Sequence, residues 1–438
     1  MSLQIIGQRF KDLTPSPEWA FANVGRSETN YVTHGYHRYP AKFIPNLVER
    51  LIKDYTKPGN IVVDPFGGCG TTLVEAKISG RESFGFDINP VAKLISQAKI
   101  TPISPITLES SYKKFENHIQ RDYKFPKFLD NERLNYWFDH STLEGLNRIY
   151  ASIKLLKDPE VKKLYLCTFS HILKNCSRWL MKSTKPQVDP NKKPAIPRDI
   201  FFKHLRFVTK RNNQFFELLK NKGFLEVPSR MKIANSTKRL PLKDNTVDLI
   251  ITSPPYVTSY EYADLHQLSL LWFGNDKNYF KKWNRHIKDF NGFRKKFIGT
   301  SIRKSRRKEL PNSFLGKKII EDVSRLDVGT ARGISHYFSD MNKSFTEMFR
   351  ILKPNGKACI IIGNTSLRGV EILNAEVATE QMHSIGFKEV NFIKRVVSNK
   401  MITPWRDQKS GKFTGKNNPH KTRAYEYEYV IVVEKLSQ

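Results

Sequence analysis

Ile61-Val62-Val63-Asp64-Pro65-Phe66-Gly67-Gly68-Cys69-Gly70-Thr71-Thr72-Leu73-Val74-Glu75-Ala76 runs from a β-branched stretch through a glycine turn into a helical pattern. A second short strand, Ser83-Phe84-Gly85-Phe86-Asp87, follows, and Pro90 opens another helix. Strand, loop, helix, strand, helix within about 40 residues predicts a doubly wound, mostly parallel α/β sheet. Glycines between a strand and a helix let backbone approach a ligand closely. The turn is neither GxxxxGK[ST] nor GxGxxG, so a phosphate loop and the dinucleotide fingerprint are both excluded. Asp87, about 20 residues on, ends its strand where a carboxylate can accept the hydroxyls of a ribose.

Outward from this core, Ile44, Leu47, Val48, Leu51 and Ile52 fall at helical spacing, and Pro58-Gly59 ends that helix. Downstream the alternation stops. Residues 100–228 read as a mainly helical insert, with aromatics such as Tyr136-Trp137-Phe138. Strand patterns resume at Met231–Ala234 and Val247–Thr252, stop again over 275–335, and return at Ala358–Gly363, Glu389–Val396 and Glu428–Glu434. The expectation is one α/β domain (1–99, 229–274 and 336–438) split by a helical insert (100–228) and a basic insert (275–335).

The chain has 438 residues, 39% of them hydrophobic, enough for two or three lobes and too apolar for a disordered chain. Lys and Arg number 74 against 42 Asp and Glu, a formal charge of +32. Such a charge points to a polyanion, most commonly nucleic acid. Cys69, Cys167, Cys176 and Cys359 form no CxxC pair, which leaves no support for a zinc ribbon or a disulfide framework. No metal site is expected. Met1–Lys11 lacks an apolar signal core and no 18-residue apolar run occurs, so a cytoplasmic protein without a membrane span is expected.

Asp64–Thr72 followed by Gly85-Phe86-Asp87-Ile88-Asn89-Pro90 resembles the cofactor site of the amino-group DNA methyltransferases, whose pattern is DPFxGxGTT and then a strand ending in Asp. The resemblance spans roughly 37–99, 229–274 and 336–435 and implies a Rossmann-like methyltransferase sheet that binds S-adenosylmethionine. It implies that Asp64, Pro65, Phe66, Gly67, Gly68 and Gly70 form the cofactor loop, with Thr71 and Thr72 capping the next helix. Asp87 then holds the ribose and Ile88 packs on the adenine. Cys69 stands where the family often has Ser. Upstream, His37–Phe43 resembles the segment that closes over the cofactor carboxylate, which places Tyr39 and Lys42 there; an ordinary surface lysine is the competing reading of Lys42. Asn235 sits where the family usually has an Asp facing the adenine.

Thr252-Ser253-Pro254-Pro255-Tyr256 follows an apolar strand and matches the family's catalytic [DNS]PP[YFW] motif. An exocyclic base amine is a poor nucleophile because its lone pair is conjugated with the ring. Acceptors for its N–H groups draw it toward tetrahedral geometry. Ser253 Oγ and the Pro254 carbonyl are the candidate acceptors, Pro254 and Pro255 stiffen the loop, and Tyr256 offers a face to a flipped base. Attack by ring carbon 5 needs a Pro-Cys nucleophile, and no cysteine here follows a proline. Ser at the first motif position favours N4 of cytosine over N6 of adenine. An RNA methyltransferase and a catalytically silent nucleic-acid-binding protein are the other readings.

Between Lys281 and Lys318 only Asp289 and Glu309 oppose clusters comprising Arg294, Lys295, Lys296, Arg303, Lys304, Arg306, Arg307 and Lys308. Lys394–Arg423 is similarly basic, with only Asp407 acidic. These cations are candidate contacts to duplex DNA phosphates. Phe290, Phe293, Phe297, Trp405 and Phe413 interleave them as either core or stacking residues. Both inserts are candidates for target recognition. A cognate restriction endonuclease is one partner the resemblance implies, though nothing in the sequence encodes it.

Overall fold

The computed structural model describes residues 3–40, 42–257, 261–300, 311–367, 369–397, 405–407, 414–423 and 427–437. Seven strands form the central sheet: β1 (Ile61–Asp64), β2 (Glu82–Asp87), β3 (Ser229–Ile233), β4 (Val247–Thr252), β5 (Leu352–Ile362), β6 (Phe387–Val396) and β7 (Tyr427–Lys435). Their order is β3-β2-β1-β4-β5-β7-β6. The first five pair in parallel, and β7 runs antiparallel to both β5 and β6. Chain order reverses between β1 and β4, which makes their carboxyl ends the place where such sheets bind ligands.

The strands read as near-continuous apolar runs because both faces are covered. Alternate residues feed two cores. Val62, Leu249, Ile251, Cys359, Ile361, Val430 and Val432 pack on α1 (Pro45–Tyr55) through Leu47, Val48, Leu51 and Ile52. Val63, Ile250, Ala358, Ile360, Ile362, Ile431 and Val433 face α9 (Val328–Ile351) and α10 (Asn374–Ile385). Two further helices, α2 (Thr71–Ile78) and α3 (Pro90–Ile100), follow β1 and β2.

Residues 100–228 contain α4 (Pro105–Ile119), α5 (His140–Leu155), α6 (Pro159–Cys176) and α7 (Pro197–Lys222). Gly223 ends α7 in the left-handed conformation at φ 73°, which a side chain would strain. The next helix, α8 (Gln267–Asn275), is apolar on every side and is therefore swallowed by this lobe. Its Trp272 ring lies 5.2 Å from Phe169, 6.0 Å from Tyr150 and 6.2 Å from Phe138.

Two expected boundaries need correction. Ala263, Leu268 and Leu270–Phe273, expected in the α/β domain, and Phe293 and Phe297 of the basic insert belong to the helical lobe's core. These two phenylalanines are thus core residues. The boundary at 335 falls inside α9, an unbroken helix that carries the chain from the insert onto the sheet. Among the described residues, no helix is long and apolar enough to cross a membrane.

Candidate active site

The glycine loop hangs from the carboxyl ends of β1 and β2. Gly67 N–H donates to the Phe86 carbonyl (2.8 Å), and Gly70 N–H to the Gly67 carbonyl (2.7 Å). Gly70 has φ +77°, and a Cβ on it would stand 2.8 Å from Ser96 Oγ. Only glycine meets both constraints. Gly68, at φ +46°, lies beneath the Tyr39 ring, whose hydroxyl would be 3.1 Å from an added Cβ. The helical lobe's side grips the same loop: Ser96 Oγ donates to the Gly68 carbonyl (2.8 Å) and Lys99 Nζ to the Cys69 carbonyl (2.9 Å).

Asp87 joins this loop from β2. Its carboxylate accepts from Gly68 N–H (3.1 Å) and Asn89 N–H (2.8 Å), while burial pushes its pKa up to about 6. Phe66, Gly68, Asp87 and Ile88 remain half-exposed along the loop. Lys42 Nζ donates to the His34 carbonyl (3.1 Å) and Asn30 Oδ1 (3.3 Å). Burial, and then the nearby Lys99, lowers its pKa to about 8. It is therefore not an ordinary surface lysine. Among the described residues neither Lys42 nor Lys99 has a carboxylate within ion-pair distance, so this corner holds uncompensated positive charge.

Asp64 plays a different part from the one expected. It is 2% exposed, and its carboxylate accepts from Thr252 Oγ1 (2.7 Å), Thr72 Oγ1 (2.8 Å) and Phe66 N–H (3.0 Å). Burial nonetheless pushes its pKa up to about 6. Asp64 is thus a brace that joins β1, β4 and the start of α2. Pro65, Thr71 and Thr72 are likewise buried under the loop and shape it. Gly70, with no side chain to cap, occupies the N-cap of α2, so the expected Thr71 and Thr72 caps do not form.

Through Asp64 the loop is tied to the segment after β4. Ser253, Pro255 and Tyr256 are half-exposed there and Pro254 is buried. The Tyr256 ring lies on Gly363 at the end of β5, where an added Cβ would sit 3.4 Å from its Cε2. Its hydroxyl donates to Glu428 Oε1 (3.2 Å) on β7. The structure therefore brings the glycine loop, Asp87 and the Ser253–Tyr256 segment to one sheet edge.

Asn235 is less central than expected. Its Oδ1 accepts from Thr237 N–H and Oγ1, both at 2.9 Å, in a local turn. With Thr237, Lys238, Lys295, Lys296, Asp340 and Lys343 it lines a cleft of about 320 Å³. Arg294 faces elsewhere. It pairs with Asp264 (3.3 Å) and Glu261 (3.9 Å), so its charge is neutralised locally and it braces the chain after the motif. This corrects its expected place among the phosphate contacts. Arg303, Lys304, Arg306, Arg307, Lys308 and Phe413 lie outside the described residues. His37 hydrogen-bonds the Arg38 carbonyl (2.8 Å) and Ser170 Oγ (3.0 Å). Among the described residues no group of three or more His, Cys, Asp or Glu could hold a metal ion.

Residues 7–98 match the DNA methylase family model. The chain is 26% identical over 398 residues to the type II methyltransferase M.MvaI of Kocuria varians, covering 86% of each. It is 23% identical over 432 residues to type II methyltransferase M.BsoBI of Geobacillus stearothermophilus, covering 83% of this chain and 80% of that one. A shorter stretch of 75 residues is 36% identical to the DNA adenine methyltransferase YhdJ of Escherichia coli, 17% of this chain and 24% of that one. The resemblance to amino-group DNA methyltransferases thus holds in the N-terminal segment and along most of the chain. S-adenosylmethionine is the cofactor of that class. The residues present fit it: a side-chain-free cradle at Gly68 and Gly70, an acceptor carboxylate at Asp87, and unpaired ammonium charge at Lys42 and Lys99 for an anionic end.

Proposed function

We propose that this chain methylates the exocyclic amine of a flipped base in duplex DNA, N4 of cytosine, as the modification enzyme of a restriction–modification system. The observation that carries this reading is the Thr252–Asp64–Thr72 tie. It joins the segment that carries half-exposed Ser253, Pro255 and Tyr256 to the glycine loop at one sheet edge. When bound, S-adenosylmethionine supplies an electrophilic methyl group. Phe66, Gly67, Gly68 and Gly70 line its methionine end, with Tyr39 above and Lys42 facing the carboxylate. Asp87 accepts the ribose hydroxyls, and Ile88 packs on the adenine.

Ser253 Oγ and the Pro254 carbonyl accept the two N–H groups of the target amine and turn its lone pair toward the methyl carbon. A methyl group supplied there, leaving its sulfur as a neutral thioether, would be taken up by the amine, whose surplus proton these acceptors would pass to solvent. Fixed acceptors act most where charge develops, so they favour the transition state over the ground state. Tyr256 stacks on the flipped base.

DNA is held by the basic surface. Lys238, Lys295, Lys296 and Lys343 ring the cleft beside β3; the cations at 303–308 follow Lys295 and Lys296 in the sequence of the basic insert. A restriction endonuclease that reads the same sequence is the partner this reading implies. Ser253 favours cytosine; the stretch shared with the E. coli adenine enzyme supports adenine as the second reading.

Tritiated S-adenosylmethionine incubated with unmethylated duplex DNA, followed by digestion to nucleosides, tests the proposal. N4-methyldeoxycytidine is expected. N6-methyldeoxyadenosine overturns the choice of base, transfer to RNA alone overturns the substrate, and DNA binding without transfer overturns the catalysis.

A further inference from the structure

The aromatic residue of the Ser253–Tyr256 segment is fixed from three sides. Its ring rests on the bare backbone of Gly363, whose carbonyl is held by Asn374 Nδ2 (3.0 Å). Its carbonyl meets Gly299, where an added Cβ would come within 2.9 Å and φ is +77°. Its hydroxyl donates to Glu428 Oε1 (3.2 Å), and Arg395 holds the other oxygen of that carboxylate at 3.3 Å.

Glu428 and Arg395 face one another across the β7–β6 pair, and Arg395 is only 4% exposed. Arg395 is buried while Glu428 is 18% exposed, and removing a charge from water offsets much of the pair's attraction. The pair is a better orientation device, since Glu428 cannot turn away without leaving the buried guanidinium uncompensated. Stacking alone requires any flat ring. A hydroxyl tied to an oriented carboxylate fixes one ring pose, and ordering a group before the substrate arrives removes that cost from the reaction.

We propose that Glu428, oriented by Arg395, is a positioning residue that holds Tyr256 in the pose that receives the flipped base. This rests on the methyltransferase reading above. The sequence carries no local sign of it, since 172 residues separate Tyr256 from Glu428.

The test uses the full chain, tritiated S-adenosylmethionine and unmethylated duplex DNA. Glu428→Ala should lower kcat about tenfold and raise KM for DNA, the scale of one hydrogen bond to a charged acceptor. Affinity for S-adenosylmethionine should not change. Glu428→Gln keeps a carbonyl that accepts the Tyr256 hydroxyl but loses its orientation by Arg395, so it should recover part of kcat. Both variants lose the pair with Arg395, so their melting temperatures should fall alike. In a Tyr256→Phe background, Glu428→Ala should cost less than about twofold more, because the coupling is already gone. Wild-type kcat in Glu428→Ala overturns the proposal. So do equal losses in the Ala and Gln variants, or a full tenfold loss that persists without the Tyr256 hydroxyl. If the wild type transfers no methyl group, the functional reading falls first and this inference with it.

Discussion

Replacing Thr252 by Val keeps the shape of the side chain and removes one of three donors to Asp64, the hydroxyl 2.7 Å from Oδ1. Raising that carboxyl from 3.8 to about 6 means the folded site disfavours its charge by ~3 kcal/mol even with Thr252, Thr72 and Phe66 all donating. A hydrogen bond to a charged group contributes about 1.5–3 kcal/mol, and a neutral one about 1. Thr252→Val should therefore destabilise the fold by ~2 kcal/mol at pH 7.5, where Asp64 is ionised. The sign of the pH effect follows from the missing donor. It stabilised the charged form, so its loss raises the folded pKa of Asp64 further. The deficit is greatest above about pH 6 and shrinks toward ~1 kcal/mol as pH falls through that value. Urea denaturation of both proteins at pH 7.5 and pH 5 measures it. Because Ser253 is the next residue, methyl transfer should also slow while S-adenosylmethionine still binds. A deficit that is absent, or equal at the two pH values, refutes the brace.

Three more outcomes are expected. Asp87 has a pKa of about 6, so only about a tenth of it is ionised at pH 5, and affinity for S-adenosylmethionine should fall up to ~10-fold from pH 7.5 to pH 5. Calorimetry on Asp87→Asn should show weaker binding with that dependence flattened, which separates it from Asp64. Ser253→Ala should lower turnover by ~100-fold or more with cofactor affinity retained, since it deletes an acceptor used most in the transition state; normal turnover removes its role. Changing Lys238, Lys295, Lys296 and Lys343 together to Gln should flatten the slope of log K against log salt by about one unit for each DNA phosphate that is no longer neutralised. Affinity for S-adenosylmethionine serves as the control, and an unchanged slope would move the DNA-binding surface to 303–308 or to Lys394–Arg423.

The parallel half of the sheet was legible because its signals are local. β-branched runs, the Asp64–Thr72 turn and Asp87 each declare themselves within a few residues, and their alternation with helices points to a parallel, doubly wound sheet. Roles that depend on depth were not legible. Asp64 and Asp87 look alike as strand-ending carboxylates, yet one is sealed by two threonines from different elements and the other stays half-exposed. Arg294 sits beside Lys295 and Lys296 in an unbroken basic run. Only the fold shows that it turns back to Asp264 and Glu261. Glu428 and Arg395 fall on two strands whose alternation says nothing about a tyrosine at position 256.

The helical lobe matters to chemistry for a reason that its position as an insert conceals. Val91, Ile95 and Ala98 of α3 lie in the lobe's core together with Cys69 of the cofactor loop. The same helix supplies Ser96 and Lys99, which hold the carbonyls of Gly68 and Cys69. On the far side, His37 reaches Ser170 of α6, which is 2.6 Å from Ser269 of α8. A module that only read bases could be removed and leave the cofactor site standing. Here removal would strip one wall from α3 and open to solvent a lysine that is 0% exposed. The lobe is thus part of the foundation of the glycine loop, because α3, which holds that loop's carbonyls, is packed in the lobe's core.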